Sequence, residues 1–119
     1  MRFENTNLET FKIDLNRLDD VMERHGMVRA GQWDYERVSY DRKFQVKEGL
    51  YYLRVQGYAV EGDVDTFDAV IQLMVPILGK YYYPHGVEYG EDEVYPTHLV
   101  NQCEKLLANI KKEVEAFAE

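Results

Sequence analysis

The run Arg37-Val38-Ser39-Tyr40-Asp41-Arg42-Lys43-Phe44-Gln45-Val46, the Lys47-Glu48-Gly49 after it, and Leu50-Tyr51-Tyr52-Leu53-Arg54-Val55 together decide the fold class. Val38, Tyr40, Phe44 and Val46 fall on one side of a two-residue alternation. Arg37, Ser39, Asp41, Lys43, Gln45 and Lys47 fall on the other, which predicts a half-buried strand. Reading Glu48-Gly49 as a two-residue hairpin turn sets 47 opposite 50, 46 opposite 51, 44 opposite 53 and 42 opposite 55. Tyr51, Leu53, Val55 and Ala59 then join the apolar side, whereas a slip of one residue would mix the two faces.

Working outward, Leu15, Leu18, Val21, Met22 and His25 recur at helical spacing. Asp14 or Asn16 can cap the start and Gly26 can end the turn, so the spacing predicts a helix over about 15–25. Thr10–Asp14 reads as a short edge strand, and Met27–Tyr35 as a strand interrupted by Gly31. Downstream, Ala69, Ile71, Leu73 and Val75 alternate with Val70, Gln72 and Met74, predicting a strand over Phe67–Val75. Pro76 and Gly79 interrupt it, Lys80–Tyr83 forms a further short strand, and Pro84-His85-Gly86 turns the chain. A second helix begins near Pro96 and runs to about Phe117, with Val100, Cys103, Leu107, Ile110, Val114 and Phe117 as its apolar seam. At about 1.5 Å per residue such a helix is roughly 30 Å long, enough to cross a small sheet. The order predicts an α+β fold, an antiparallel sheet of about five strands with the N-terminal helix and the long C-terminal helix packed on one face. With 119 residues and no repeat, linker or low-complexity tract, residues 1–119 are expected to form a single α+β domain.

Charge narrows the partners. The net charge is −8, and residues 61–119 hold four Lys/Arg against twelve Asp/Glu, while residues 1–60 balance at ten each. The excess gathers in Glu61–Asp68 and Glu88–Glu93. Nucleic-acid binding depends on basic groups that release counterions, so no nucleic-acid partner is expected. No apolar run is long enough to enter a membrane, the longest being Leu73–Leu78 with Pro76 inside it. A lone cysteine, Cys103, excludes an internal disulfide and fits a reducing, cytoplasmic setting.

Catalytic candidates are few. Ser39 lies on the polar side of a strand without a sharp elbow, and Cys103 sits on the apolar seam, where a thiol is usually a small core group. His85, Glu88 and His98, with Glu91-Asp92-Glu93, supply metal-ligand types at a spacing that matches no standard motif, and an acidic loop ordinarily just faces water. His25 reads as structural, because a cation in the last turn of a helix interacts favourably with its carbonyl end. The separated glycines form neither nucleotide fingerprint, so no cofactor is expected.

Two features remain. The ten tyrosines include Tyr51-Tyr52 and Tyr81-Tyr82-Tyr83, and adjacent strand residues face opposite sides. Some rings are therefore exposed, in keeping with an interface or a pocket, although tyrosine also suits plain sheet packing. Arg42 falls in the apolar row between Tyr40 and Phe44, where its guanidinium needs a carboxylate, a ligand anion or solvent. Arg42, Trp33, Tyr40 and Tyr82 are the candidate ligand-binding residues.

Gly31-Gln32-Trp33-Asp34-Tyr35, Tyr40-Asp41-Arg42-Lys43-Phe44, Tyr51-Tyr52-Leu53-Arg54-Val55 and Ala59-Val60-Glu61-Gly62 resemble the YugN-like family of small proteins from Gram-positive spore-forming bacteria. The resemblance runs over most of the chain rather than through one diagnostic motif. It implies a bacterial cytosolic protein and brings no catalytic or binding residues with it. The residues favour a non-enzymatic binding or protein-interaction domain, homodimeric, with an unidentified small-molecule ligand. The alternative is a small metal-dependent hydrolase using His85, Glu88 and His98.

Overall fold

The computed structural model describes residues 1–31, 35–65, 68–90 and 94–118. Its first helix, α1 (Leu15–Arg24), follows directly from a short strand, β1 (Lys12–Asp14). The Asp14 carboxylate accepts from the backbone N–H groups of Asn16 and Arg17, satisfying two donors that the first turn leaves free. At the other end Gly26 takes φ +74°, Gly26 N–H donates to the Glu23 carbonyl, and Met27 N–H donates to that of Met22. This pairing of bonds is a Schellman ending, with buried Met27 and Met22 as its apolar contact.

The sheet continues through β2 (Val28–Arg29), β3 (Arg37–Val46), β4 (Gly49–Asp63), β5 (Asp68–Leu73), β6 (Ile77–Tyr82) and β7 (Gly86–Glu88), all pairings being antiparallel. Along one edge β4 pairs with β3. Its other edge is shared, Tyr51–Arg54 pairing with β6 and Gly57–Asp63 with β5, across an irregularity between Ala59 and Glu61. The main path runs β1-β5-β4-β3-β2, with β6 and β7 branching from β4. Among the described residues there are thus seven strands rather than about five. The interrupted strand expected over Met27–Tyr35 shrinks to two edge residues, and β7 lies in what the sequence reads as loop. Gly79 does not break the chain but sits inside β6, where a β-carbon would come within 2.5 Å of Val87 Cγ1 and 2.7 Å of Tyr89 Cδ1.

One register differs from expectation. The turn is Lys47-Glu48, so Val46 pairs with Gly49, Phe44 with Tyr51 and Arg42 with Leu53. A turn centred on Glu48-Gly49 would ask Glu48 for a positive φ. Shifting it back one residue moves the unusual conformation to Gly49, at φ 146°, which no side chain opposes. Every partner thereby moves by two, and the faces are preserved.

The second helix, α2 (Thr97–Phe117), begins after Pro96, whose carbonyl accepts from the N–H groups of Leu99 and Val100. Its buried stripe is Leu99, Cys103, Leu107, Ile110 and Val114, with Val100 half-buried at its edge and Phe117 exposed beneath the Arg17 guanidinium. Both helices close on the sheet face carrying Val38, Tyr40, Phe44, Tyr51, Leu53, Val55, Ile71 and Leu73, and these residues form one core. Two carboxylate clamps fasten α2. Glu113 meets His25 and Arg24 at the end of α1, and His98 meets Glu48 in the β3–β4 turn at 3.0 and 3.1 Å.

Candidate functional site

The end of α1, β2 and β3 enclose a crevice of about 320 Å3 lined by Asp19, Glu23, Gly26, Met27, Val28, Arg29 and Tyr40. Register places Arg29 opposite Tyr40, so both project toward α1. There the Tyr40 hydroxyl donates to Asp19 Oδ1 at 2.5 Å, and Arg29 Nη1 approaches both Asp19 oxygens at 3.3 and 3.4 Å. Burial, followed by the bond to the Asp19 carboxylate, holds the Tyr40 phenol well above its ordinary value, so it stays a donor. A second, wider crevice of about 520 Å3 shares Gly26 and Val28 with the first and is lined further by Ala30, Asp41, Arg42, Lys43 and Tyr52.

Two of the four expected ligand-binding residues, Tyr40 and Arg42, therefore border this region. Trp33 lies outside the described residues. Tyr82 stands apart at the far end of β6, opposite Gly86, with Lys80 Nζ 5.4 Å from its ring centre. Arg42 Nη1 donates to the His25 carbonyl at 2.9 Å and its guanidinium lies over the Phe44 ring at 5.0 Å, so it caps the end of α1, and among the described residues it meets no carboxylate.

Among the described residues the other face of the sheet carries no helix. Its rows across the strands run Val28, Asp41, Arg54 and Ile77, then Lys43, Tyr52 and Gly79, with Ser39 and Gln56 on the far side. At its centre Arg54 forks onto Asp41 at 2.7 and 2.9 Å and lies 5.6 Å from the ring centre of Tyr89. The Asp41 carboxylate raises the Arg54 pKa further, and burial raises that of the Tyr89 phenol, whose oxygen is buried without a hydrogen-bond partner among the described residues. Tyr51 and Tyr52 separate as alternation requires, Tyr51 into the core and Tyr52 onto this open face. Tyr58, opposite Arg37 and Gln72, is 43% exposed here.

The catalytic candidates scatter. Ser39 Oγ accepts from Gln56 at 3.4 Å rather than facing a base. Burial pushes the Cys103 thiol up to about 12, far from a reactive thiolate. His85 is exposed at the β6–β7 turn, Glu88 is exposed in β7, and His98 is engaged by Glu48. Among the described residues no three of His, Cys, Asp and Glu stand together as a metal site. Glu91, Asp92 and Glu93 lie outside the described residues. No helix among those residues is long and apolar enough to cross a membrane. Sequence reading missed Asp19, Arg29 and the Asp41–Arg54 pair. The only local signal for Asp19 was a carboxylate flanking the apolar stripe of α1.

Residues 4–114 match the family model described as the YugN-like family. The chain belongs to that family. The YugN-like chain is 56% identical over 110 residues to uncharacterized protein YlbA of Bacillus subtilis (strain 168), covering 92% of each. It is also 28% identical over 74 residues to uncharacterized protein YugN of the same organism, covering 62% of this chain and 55% of that one. A crystal structure of uncharacterized conserved protein YugN from Geobacillus kaustophilus HTA426 matches with a TM-score of 0.85 and 61% identity, over 98% of the YugN-like chain and 96% of the other. The shared architecture therefore extends across the two helices and the branched sheet.

Proposed function

We propose that this YugN-like chain is a cytoplasmic, non-catalytic binding domain that works as a homodimer, two copies meeting through the helix-free face of the sheet. One observation carries the reading. The centre of that face holds adjacent, opposite charges, Asp41 and Arg54, set among Tyr52, Tyr58 and Tyr89. A two-fold axis passing between the two charges would lay Asp41 of one copy against Arg54 of the other and the reverse, the self-complementarity that an isologous contact demands. The tyrosines supply the apolar area with few side-chain torsions to freeze, which favours association. Arginine held by a carboxylate and stacked on a ring is already oriented, so little further ordering is needed on contact.

Light scattering on the eluting protein at micromolar concentration and physiological salt is expected to give twice the chain mass. Tyr58→Glu, which sets a charge on the open face at a position 43% exposed, should return the monomer without loss of fold. A wild-type chain that is monomeric under those conditions refutes the proposal.

A further inference from the structure

Among the described residues one group, the His25 carbonyl, takes a hydrogen bond from Arg42, and Arg42 lines a crevice at the edge of β3. Its neighbours along β3 on the same face, Tyr40 and Phe44, are buried, as is Leu53 opposite. The stem lies flat against Gly26, where a β-carbon would stand 3.5 Å from Cδ and Nε. The His25 carbonyl and the Phe44 ring then fix the plane of the guanidinium. Of its five donors the carbonyl takes one. Among the described residues no carboxylate reaches it, although the chain holds 22 acidic against 14 basic residues and Arg2, Arg24, Arg29 and Arg54 are each paired with one. None of its nitrogens is buried without a partner among the described residues, and Arg42 is one of the residues that line the 520 Å3 crevice.

The rest of that lining points the same way. Lys43, next along β3 and turned to the other face of the strand, adds a second cation to the lining. Asp41, the acid on the wall, is neutralised by the fork of Arg54. Pairing between β2 and β3 ends at Val28 opposite Asp41, so the β3 edge at Lys43 has no strand across from it and offers its backbone to the crevice. Val28, Ala30 and the Tyr52 ring supply apolar walls. We infer that the crevice between Gly26, Val28 and Lys43 binds a small oxyanion, the carboxylate or phosphate group of a small molecule, with Arg42 as its principal donor. The volume suits a small organic ligand rather than a bare ion. Planar, doubly donating recognition of carboxylate or phosphate is the task for which a fixed guanidinium outperforms an ammonium. The inference goes beyond the dimer reading, and because Val28, Asp41, Lys43 and Tyr52 also belong to the face used there, the titration is made on Tyr58→Glu as well as on the wild-type chain.

Amide NMR of the full chain, titrated with orthophosphate and separately with acetate against sodium chloride of matched ionic strength, tests it. Saturable shifts are expected at Gly26, Val28 and Lys43 and at the Arg42 side-chain Nε–H. Response to phosphate alone identifies a phosphate ligand, and response to acetate alone a carboxylate one. Arg42→Lys should weaken binding by about tenfold or more, because the fork is lost while the charge is kept. Arg42→Met should abolish it. Shifts that match those in chloride, that fail to saturate with either probe, or that persist in Arg42→Met would overturn the site. Should Arg42→Met fail to fold after losing its bond to His25, undiminished binding in Arg42→Lys overturns it instead.

Discussion

Leu53→Ala is the most direct test of the register on which the architecture rests. Leu53 has no exposed surface and sits at the crossing of three strands, opposite Arg42 of β3 and Leu78 of β6, beneath both helices. Truncation removes three carbon atoms from a site whose walls belong to regular strands and helices, so little collapse can fill the gap. Lost transfer energy plus the residual cavity amount to about 3–5 kcal/mol, the upper part of the range for Leu→Ala. That is a large share of the roughly 5–15 kcal/mol stability of a domain, and at about 3–6 °C per kcal/mol for this length it lowers Tm by roughly 10 °C or more. Val94→Ala is the control, an aliphatic residue 86% exposed ahead of α2, with an expected change within about 0.5 kcal/mol. Urea denaturation followed by circular dichroism, with calorimetry for Tm, measures both. A Leu53→Ala variant within about half a kcal/mol of wild type would mean that Leu53 does not face the helices and that the strand faces are misassigned.

Two further outcomes are expected. Tyr40→Phe should cost about 1.5–3 kcal/mol in urea denaturation, because the 2.5 Å bond to the Asp19 carboxylate is lost. In an ultraviolet titration two phenols, Tyr40 and Tyr89, should ionise above the ordinary tyrosine range in wild type and one of them in the variant. Since the folded value of Tyr40 is raised, this stabilisation is complete below about pH 10 and declines as pH rises beyond it. On the acid side, His98 lowers the Glu48 carboxyl below the usual glutamate value, and His25, then Arg24, lower that of Glu113. Lowered carboxyls contribute stability above their unfolded pKa and lose it as pH falls through the folded one. The urea midpoint of the double variant Glu48→Gln, Glu113→Gln should therefore fall less steeply below about pH 4 than that of wild type.

How much of this was legible depended on whether the determinant was local. The α1 boundaries follow from side chain and backbone within a few residues, Asp14 at one end and Gly26 at the other, and both read directly. The β3 and β4 faces follow from a period of two, which survives any even shift in pairing. Elements that depend on distant partners were hidden. The two-residue β2 exists because Val28 and Arg29 meet Asp41 and Tyr40, and β7 because Gly86–Glu88 folds back on β6. Neither has enough length for a pattern of its own. Gly79 looked like a strand breaker because its neighbours in space, Val87 and Tyr89, are not its neighbours along the first half of the strand.

The candidate sites fall on the same divide. Arg42 was visible as a charge in an apolar row, since that conflict needs only the alternation of one strand, and it borders a crevice as well as capping a helix. The Asp41–Arg54 pair was invisible for the complementary reason. A turn at Glu48-Gly49 sets Asp41 opposite Gln56, and the two-residue shift sets it opposite Arg54. The same shift that left every face intact thus changed every pairing, so hydrophobic burial could not report it while the ion pair depended on it entirely. What placed the turn was the backbone of Gly49, at φ 146°, and that one glycine therefore links the hairpin to the charge pair at the centre of the open face. Face assignment and register are separate determinations. Any functional reading of this sheet that uses pairs across strands rests on the second.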